Sequence, residues 1–410
     1  MNRLFIWLAS SGLLVLLGTY SCYSRDLPAF EIEKNQNAIA EILMDTVAEI
    51  TCFKKKLTSI KAPEEALTLS RFEKDGKVHT LAVLEDDGEY LRGVDISIVL
   101  DRYEESVFDV IKNLDFDQIV KLIRTGDNSV SISYKDLLPS VGGNNNHMAI
   151  GINYAEHGKE TGQVKPFMFP KLVNTDPAVH SLHYTDGWLL DHEVELGVVF
   201  GEPVCSSVDL NKIRIGFLTV NDFTDRAELM RKMDSKNVTG GKGFPDAKSK
   251  SGFLPTGPYV VIPKDWRSFL QELELQLSVN GEIRQHGYAK DMVWDIQEII
   301  NRSLSVKGLN NSYYKDKMIK LFQGDCIPAN SIVITGTPSG VVFNAPKGGF
   351  IFGTVMKYIF TGAFFSDKMH PYVLKQYLKK ELKNPRYLKI GDTVETSIKY
   401  LGTINTTVVK

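Results

Sequence analysis

The pattern of apolar and polar positions changes several times along the chain. Residues 26–66 space apolar side chains such as Ile32 and Ile39 at intervals of three, four and seven, which predicts a helical lead-in. Residues 67–145 hold short strand-like runs around turn residues, and residues 146–410 continue with strands and loops. The pattern therefore predicts an α+β, strand-rich protein with a small N-terminal α/β domain at 67–145.

This small N-terminal domain contains two local signals. The segment Lys74-Asp75-Gly76-Lys77 separates strand-like runs at 70–73 and 78–83, and an Asp-Gly pair supplies the positive φ angles of a tight hairpin turn. A helical pattern follows near residues 107–123. We therefore expect a hairpin and then a helix in this region.

The first 25 residues have the layout of a secretory signal. Arg3 precedes a largely apolar run from Leu4 to Leu17, and small or polar residues lead from there to Cys22. The residues before Cys22 loosely resemble a bacterial lipoprotein cleavage box, so one hypothesis is lipidation of Cys22. The alternative is an uncleaved anchor, although about 20 apolar residues are needed to span a bilayer. Both alternatives predict a location in the cell envelope, either periplasmic or attached to the membrane through residues 1–25.

Composition excludes one class of partner and one class of metal site. The 410-residue chain is 43% hydrophobic, enough for a large core, and its formal net charge of −2 gives no basic footprint for nucleic acid. Apart from Cys22, the cysteines are Cys52, Cys205 and Cys326, and their spacing fits no zinc–cysteine motif. They can form one disulfide or remain three isolated residues.

The segment Asp-His-Glu-Val-Glu-Leu at 191–196 places two glutamates in a run typical of a buried strand. Side chains two apart in a strand point to the same face, so Glu193 and Glu195 can direct both carboxylates at one cation. Asp222 can join them from a neighbouring strand. Three carboxylate oxygens suit Mg²⁺, Mn²⁺ or Ca²⁺ better than zinc. The alternative is an edge strand whose glutamates face water.

Three further segments carry candidate chemistry. His157 and Glu160 lie three residues apart, so one helical turn would let them hydrogen-bond and make the imidazole a base. Lys248 is a candidate fixed cation for an enolate or a carboxylate. Gly336 and Thr337 end a strand-like run and can offer an N–H group and a hydroxyl to a carboxylate. Singly, each has an ordinary alternative: a solvated helix face, a surface lysine or a plain strand end.

Together and in this order, these segments resemble the fumarylacetoacetate hydrolase family. The resemblance covers residues 149–410 and consists of nine motifs in register. These motifs are Gly151-x-Asn153-Tyr154-x-x-His157-x-x-Glu160, Phe169-x-Lys171, Glu193-x-Glu195, Asn221-Asp222-x-Thr224-x-Arg226, Lys248-Ser249, Pro255-x-Gly257-Pro258, Val279-Asn280-Gly281-Glu282-x-Arg284-Gln285, Thr335-Gly336-Thr337-Pro338-x-Gly340-Val341, and Gly391-Asp392-Thr393-Val394-Glu395 with Leu401-Gly402-Thr403. Any one of them is modest, but the full set is specific.

The resemblance implies a roll or sandwich of mixed β-sheets, usually a homodimer, that holds a divalent metal ion. The implied metal ligands are Glu193, Glu195 and Asp222, and the implied ion is Mg²⁺, or else Mn²⁺ or Ca²⁺. Family members act on small 2-oxo or 2,4-dioxo acids. Because the carboxylate and keto oxygens of such an acid chelate the metal, the cation stabilises the enolate that forms during the reaction.

The resemblance also implies roles for the other candidates. His157 with Glu160 would activate water for attack on the distal carbonyl, and Lys248 would accept charge on the departing enolate. The implied substrate-binding residues are Lys171, Arg226, Gly336 and Thr337. The segment around His157 would be a lid that substrate orders.

The chain departs from the family pattern at three places. Leu229 occupies a position where the family often has glutamine. Lys242-Gly243-Phe244 imitates the lysine motif of the family, although the distance from Lys248 to Pro255 matches the usual spacing. The third departure is an insertion at about 344–387.

The insertion combines an apolar run, Phe350–Phe365, with a lysine-rich, helix-like stretch from Val373 to Lys389. One hypothesis is that it lies in the membrane interface, because an apolar face beside basic residues suits that position. The alternative is that it packs against a dimer partner or covers the active site.

We therefore expect a divalent-metal-dependent hydrolase that cleaves a C–C bond of a 2,4-dioxo acid of the acylpyruvate or fumarylacetoacetate type. One alternative is a decarboxylase of oxaloacetate, or a hydratase, isomerase or tautomerase of 2-oxo acids, in the same site. Another is a non-catalytic ligand-binding protein of the envelope, for which Leu229 is the only indication.

Overall fold

The computed structural model of the protein describes residues 59–410, apart from residues 164, 235, 344–345 and 366–367. The predicted signal or anchor and most of the helical lead-in lie outside the described residues. The described end of that lead-in is a loop and a turn, and the first strand begins at Ala66.

A ten-stranded sheet is the largest element, and two of its inner strands carry the candidate site. The strands are numbered in chain order over both sheets and both ribbons. Within the ten-stranded sheet all neighbours pair antiparallel except Val333–Ile334 and His147–Gly151, which are parallel. From one edge to the other the strands are β4 (Ser129–Ser133), β3 (Tyr90–Asp95), β2 (Lys77–Asp86), β1 (Ala66–Lys74), β12 (Val260–Pro263), β10 (Ile215–Asn221), β9 (Val194–Phe200), β17 (Val333–Ile334), β5 (His147–Gly151) and β6 (Phe167–Lys171).

A second sheet has five strands, and two short ribbons complete the β-structure of the described residues. In spatial order the second sheet consists of β14 (Glu282–Tyr288), β13 (Glu274–Val279), β18 (Thr393–Ile398), β19 (Thr403–Val409) and β7 (Val179–His183). The ribbons pair β8 (Leu190–Asp191) with β11 (Thr224–Asp225), and β15 (Asn310–Tyr314) with β16 (Lys317–Lys320).

Ten α-helices are formed by the described residues. They are α1 (Ile96–Leu100), α2 (Val107–Ile111), α3 (Phe116–Thr125), α4 (Ala155–Thr161), α5 (Arg226–Lys232), α6 (Phe244–Lys248), α7 (Trp266–Gln271), α8 (Ile296–Ser305), α9 (Gly348–Phe360) and α10 (Met369–Glu381).

The inner strands β9 and β10 are buried along their whole length, because hydrophobic clusters cover both faces of the main sheet. On one face Val198 and Phe217 join a cluster with Leu275 of the second sheet. On the other face Val199 and Leu218 join the cluster that contains α2 and α3. The α+β, strand-rich fold class predicted from the sequence is confirmed.

The predicted hairpin forms as β1 and β2, with Lys74 paired to Lys77. Asp75 and Gly76 have φ angles of 53° and 71°, the left-handed conformation that a two-residue turn of this kind requires. The predicted helix near 107–123 is divided into α2 and α3. Asp115 causes the division, because its carboxylate accepts a hydrogen bond from the backbone N–H of Gln118 at 2.8 Å and starts a new helix.

Strands β1 to β4, from the region predicted to form a small N-terminal α/β domain at 67–145, extend the main sheet. Leu67 pairs with Ile262, so β1 covers the edge of β12 that would otherwise expose unpaired backbone groups. The described residues, from 59 onward, belong to one compact unit.

A disulfide joins Cys205 to Cys326 across 121 residues of sequence. Next to it, Val204 and Ile327 exchange two backbone hydrogen bonds of 2.9 Å, which hold the two cysteines side by side. Of the two alternatives left open by the sequence, the structure therefore has the disulfide. Cys22 and Cys52 lie outside the described residues.

The insertion forms α9 and α10, and the ring centroids of Phe350 and Tyr377 lie 5.4 Å apart between them. Helix α10 ends at Glu381, earlier than the stretch predicted to Lys389, and Pro385 follows in the turn beyond it. The outer side of α9 keeps Phe352 and Phe360 exposed, and the interface hypothesis stays a prediction. No described helix combines the length and apolarity that crossing a membrane requires.

Candidate active site

Three carboxylates meet where β9 begins and β10 ends. These strands are antiparallel neighbours, so Glu193, just before β9, and Asp222, just after β10, lie at the same end of the strand pair. Glu195 of β9 pairs with Val220 of β10 at this end. One ligand oxygen from each of Glu193, Glu195 and Asp222 lies within 4.8 Å of the others. All three side chains are buried, with relative exposures of 4%, 3% and 0%. The predicted trio is therefore assembled, and the solvated edge strand is excluded.

Asn221 holds the loops that carry two of these carboxylates. Its side-chain oxygen accepts a 3.1 Å hydrogen bond from the backbone N–H of Glu193, while its amide donates to the hydroxyl of Thr396 at 2.9 Å. The backbone N–H of Asp222 donates to the carbonyl of Glu193 at 2.9 Å. The second sheet therefore fixes the position of the acidic trio.

Three buried cationic side chains surround the carboxylates. The Lys248 ammonium contacts the carboxylate of Glu193 and lies 2.6 Å from Asp222 Oδ2. The Lys171 ammonium contacts the other oxygen of Asp222 and donates to the carbonyl of Phe253 at 2.8 Å. Lys171 thus supports a candidate metal ligand, and it is not among the residues that line the adjacent cavity.

Arg226 links two acidic residues from the first turn of α5. Its guanidinium lies 2.5 Å from Glu193 Oε1 and 2.8 Å from Asp191 Oδ2. Asp191 also accepts hydrogen bonds from the backbone N–H groups of Val342 at 3.1 Å and Phe343 at 3.2 Å. Sequence reasoning gave Asp191 no role, although it stands in the acidic segment itself. Asp191 therefore connects Arg226 to residues 342–343, just before the insertion.

The electrostatics of the trio favour an added positive charge. Burial raises the pKa of Glu195 well above its ordinary value, and the neighbouring Asp222 and Glu193 raise it further. Burial also acts to raise the pKa of Glu193, but Lys248 and Arg226 outweigh burial and hold that pKa below its ordinary value. Glu195 accepts a 2.5 Å hydrogen bond from the backbone N–H of Gly336. The buried surroundings of Glu195 thus disfavour its negative charge.

The donor set fits a hard divalent cation. Three carboxylate oxygens within one small space are ligands that Mg²⁺, Mn²⁺ and Ca²⁺ accept, whereas zinc sites use mainly histidine and cysteine. A dication would also compensate the charge that burial makes costly at Glu195. Glu193, Glu195 and Asp222 would hold it.

The predicted histidine–glutamate pair forms on α4. His157 Nδ1 lies 3.2 Å from Glu160 Oε2, and Glu160 accepts a further 3.2 Å hydrogen bond from the backbone N–H of Gly340. His157 is buried and lines the same cavity as the three carboxylates. When Nδ1 carries the proton donated to Glu160, Nε2 carries the basic lone pair.

Gln285 is a positioning residue that sequence reasoning quoted only as part of a motif. Its side-chain oxygen accepts from the backbone N–H of Val194 at 3.0 Å, and its amide donates to the Thr337 hydroxyl at 2.8 Å. That hydroxyl donates to the carbonyl of Val194 at 2.8 Å and lines the cavity. Of the two predicted carboxylate-binding residues, Thr337 therefore faces the cavity, while the N–H of Gly336 is used by Glu195.

Gly336 occupies a position that accepts no other residue without strain. Its φ angle is 99°, in the left-handed region, and an added Cβ would lie 2.7 Å from Cβ of Asn153. The side chain of Asn153 bridges this strand end to a loop, donating to the carbonyl of Thr335 at 2.8 Å and accepting from the N–H of Trp294 at 2.7 Å. Close packing here aims the Gly336 N–H at the acidic trio.

The cavity beside the trio has a volume of about 280 Å³ and two chemically different parts. The polar part is lined by His157, Glu193, Glu195, Asp222, Arg226, Lys248 and Thr337. The apolar part is lined mainly by residues at the end of β5, by residues of β6, α5 and α6, and by the loop between these two helices. Pro346, His370 and Leu374 of the insertion join them, and Thr161 and Gln163 add neutral polar groups to the lining. The insertion therefore covers the cavity, as one of the sequence alternatives expected.

The structure also separates the two candidate lysines. Lys248 lies inside the charge cluster, whereas the Lys242 ammonium lies 5.5 Å from the ring centroid of Tyr313. Lys248 is thus the lysine that the geometry brings to the carboxylates.

Comparison with known proteins places the chain in a family. Residues 146–409 match the family model of the fumarylacetoacetate (FAA) hydrolase C-terminal domain. A 2,4-didehydro-3-deoxy-L-rhamnonate hydrolase from Sphingomonas sp. (strain SKA58) is 33% identical over 205 residues, which are 47% of this chain. The chain spans 61%, less than two thirds, of that relative.

Solved structures share the fold over most of the chain. A fumarylacetoacetate hydrolase from psychrophilic Exiguobacterium antarcticum aligns with a TM-score of 0.52 at 23% identity. A 5-carboxymethyl-2-hydroxymuconate delta-isomerase from Mycobacterium smegmatis aligns with a TM-score of 0.50 at 19% identity. Each alignment covers 84% of this chain and 99% of the other.

Because the family model matches well over half of its length, the chain belongs to the fumarylacetoacetate hydrolase family of enzymes. The family predicted from the motifs is thereby confirmed.

The Glu195→Gln substitution tests separately how Glu195 affects the stability of the fold and how it affects metal binding. We expect Glu195→Gln to weaken Mn²⁺ binding at least about tenfold, because a neutral amide replaces one of three charged ligands. The melting temperature in EDTA should stay equal or rise, because a buried carboxylate beside two others is removed. Titration calorimetry and thermal unfolding measure the two effects. Glu202→Gln, at an exposed loop position, is the matched control, and an unchanged Mn²⁺ affinity in Glu195→Gln would contradict the assignment.

Proposed function

We propose that the protein is a divalent-metal-dependent hydrolase that cleaves a C–C bond in a 2,4-dioxo acid of the acylpyruvate type. One observation carries the proposal: His157, which is hydrogen-bonded to Glu160, lines the same cavity as the acidic trio. His157 is near enough to act electrostatically on Glu193. A base for water and a site for the 2-oxo acid group are the two parts that this hydrolysis needs.

The residues of the chain orient the 2-oxo acid end of the substrate at the polar part of the cavity. Arg226 and Lys248 supply positive charge there, and Thr337 lines the same part while its hydroxyl proton is donated to the carbonyl of Val194. A divalent cation held by the three carboxylates would act as a Lewis acid for the negative charge that develops at this end. The distal carbonyl then lies toward His157.

His157 accepts a proton from water at Nε2, while Glu160 holds Nδ1 and stabilises the imidazolium. The water oxygen forms a bond to the C4 carbonyl carbon. The C3–C4 bond breaks, its electron pair goes to C3 as the pyruvate enolate, and the Lys248 ammonium stabilises that charge. Protonation of C3 by the imidazolium yields pyruvate and a carboxylic acid.

The assay uses acetylpyruvate and oxaloacetate with Mg²⁺ or Mn²⁺. We expect cleavage of acetylpyruvate, and we expect His157→Ala to lower kcat by about 10²-fold to 10⁴-fold, the usual contribution of a general base. Mn²⁺ binding should survive in His157→Ala, because the metal candidates are carboxylates. Lys159→Ala, an exposed position on the same helix, is the control and should keep full activity. Turnover of His157→Ala at the wild-type rate would refute water activation by His157, and release of CO₂ from oxaloacetate alone would favour the decarboxylase.

We infer that the protein works outside the cytoplasm, in the cell envelope. The signal-like residues 1–25 and the Cys205–Cys326 disulfide support this independently, because structural disulfides persist in oxidising compartments. Lipidation of Cys22 remains part of the same proposal.

A location outside the cytoplasm predicts that Cys205 and Cys326 form their disulfide in the cell. In acid-quenched cells, Cys205 and Cys326 should resist alkylation until a reductant is added. The disulfide closes a loop of 121 residues, so the double variant Cys205→Ser/Cys326→Ser should lose roughly 4 to 5 kcal/mol of unfolding free energy. Reductant should lower the melting temperature of the wild type and leave that of the double variant unchanged. Free, alkylatable thiols at both positions in quenched cells would contradict the location.

A further inference from the structure

The charged side chains that line the cavity are concentrated in its polar part and are already partnered. Among the described lining residues, the lysine and arginine side chains are Lys248 and Arg226, and both contact carboxylates of the acidic cluster. Besides His157, which is hydrogen-bonded to Glu160, the remaining titratable lining residue among the described ones is His370, an exposed side chain of α10. A substrate that ended in a second carboxylate would therefore meet no buried cation beyond the polar part.

Helix α5 builds one wall of the apolar part. Its first residue is Arg226, and Leu229 follows three residues later, so the two share one face of the helix and both line the cavity. Leu229 is 1% exposed, and Met230 and Met233 continue the same wall. Methionine side chains adapt to differently shaped apolar ligands, so this wall can accept a flexible chain or a ring.

Two other surfaces close the apolar part. Phe169 of β6 and Phe244 of α6 pack together with ring centroids 5.3 Å apart, and both line the cavity. On the insertion, Leu374 of α10 packs on the cluster that contains Met230 and also lines the cavity. The apolar surface is thus continuous from the sheet to the insertion.

We propose that the group beyond the scissile bond is an apolar acyl chain or aryl ring, so that the substrates are acylpyruvates without a second carboxylate. This inference rests on the proposed function and specifies the chemical class of the distal half of the substrate. Burying an ionised carboxylate among leucine, methionine and phenylalanine side chains is costly, whereas each methylene of an acyl chain gains from leaving water.

The first measurement is independent of turnover. With Mn²⁺ present, titration calorimetry compares 2-oxooctanoate with 2-oxosuberate, which has the same chain length and a distal carboxylate. We expect 2-oxooctanoate to bind at least tenfold more tightly. Leu229→Gln and Leu374→Ala should narrow this difference, and Leu382→Ala, at an exposed position just after α10, should not. Equal or tighter binding of 2-oxosuberate, or binding of neither acid, would overturn the inference.

His370→Gln tests the titratable side chain that the insertion contributes to the cavity lining. If 2-oxosuberate binds tightly to the wild type and weakly to His370→Gln, the distal site recognises a carboxylate through that histidine and the inference fails. Under the inference, this substitution leaves the preference for 2-oxooctanoate in place.

The second measurement is cleavage of acetyl-, butanoyl- and hexanoylpyruvate. We expect kcat/KM to rise about threefold to fourfold for each added methylene. If 2-oxooctanoate is preferred but no acylpyruvate is cleaved, the hydrolase proposal fails and the apolar site stands. If acylpyruvates are cleaved with no dependence on chain length, the hydrolase stands and the apolar site fails.

Discussion

Four buried carboxylates meet three buried cationic side chains at the ends of two inner strands, and this concentration of charge constrains the structure around it. The carboxylates are those of Asp191, Glu193, Glu195 and Asp222, and the cations are Lys171, Arg226 and Lys248. Such a cluster is costly in a protein core unless every charge has a partner. The neighbouring elements therefore act as supports for individual charges as well as parts of a hydrophobic core.

The supports come from distant parts of the chain. The second sheet contributes Thr396, which holds Asn221, and Gln285, which holds Val194 and Thr337. The strand end after β17 contributes the Gly336 N–H to Glu195. Through Asp191, the chain just before the insertion is fixed to the cluster as well. These polar contacts thus position the candidate metal ligands, Thr337 in the cavity wall, and residues 342–343, where the insertion that lines the cavity begins.

Local patterns in the sequence were sufficient for the features that depend on neighbouring residues. The alternation at Glu193 and Glu195 predicts two carboxylates on one face of a strand, the Asp75-Gly76 pair predicts the hairpin, and the spacing of His157 and Glu160 predicts their hydrogen bond. Motif order then identified the family.

Features that depend on long-range packing were not predictable in this way. No local signal pairs cysteines 121 residues apart, and none shows that β1 will find β12 as its partner. The role of Asp191 emerges only when β8, α5 and the residues before the insertion come together. For the same reason, the sequence left open whether the insertion covers the cavity, which depends on where Leu374 packs.

The proposed chemistry depends on a cation site formed by Glu193, Glu195 and Asp222. The most direct measurement is a crystal structure of the protein with Mn²⁺ and oxalate, a stable analogue of the pyruvate enolate, collected for anomalous scattering of manganese. We expect one strong anomalous peak among these three carboxylates, with oxalate on the side that faces His157. A manganese peak elsewhere, or a trio that keeps only its lysine and arginine partners at saturating Mn²⁺, would contradict it.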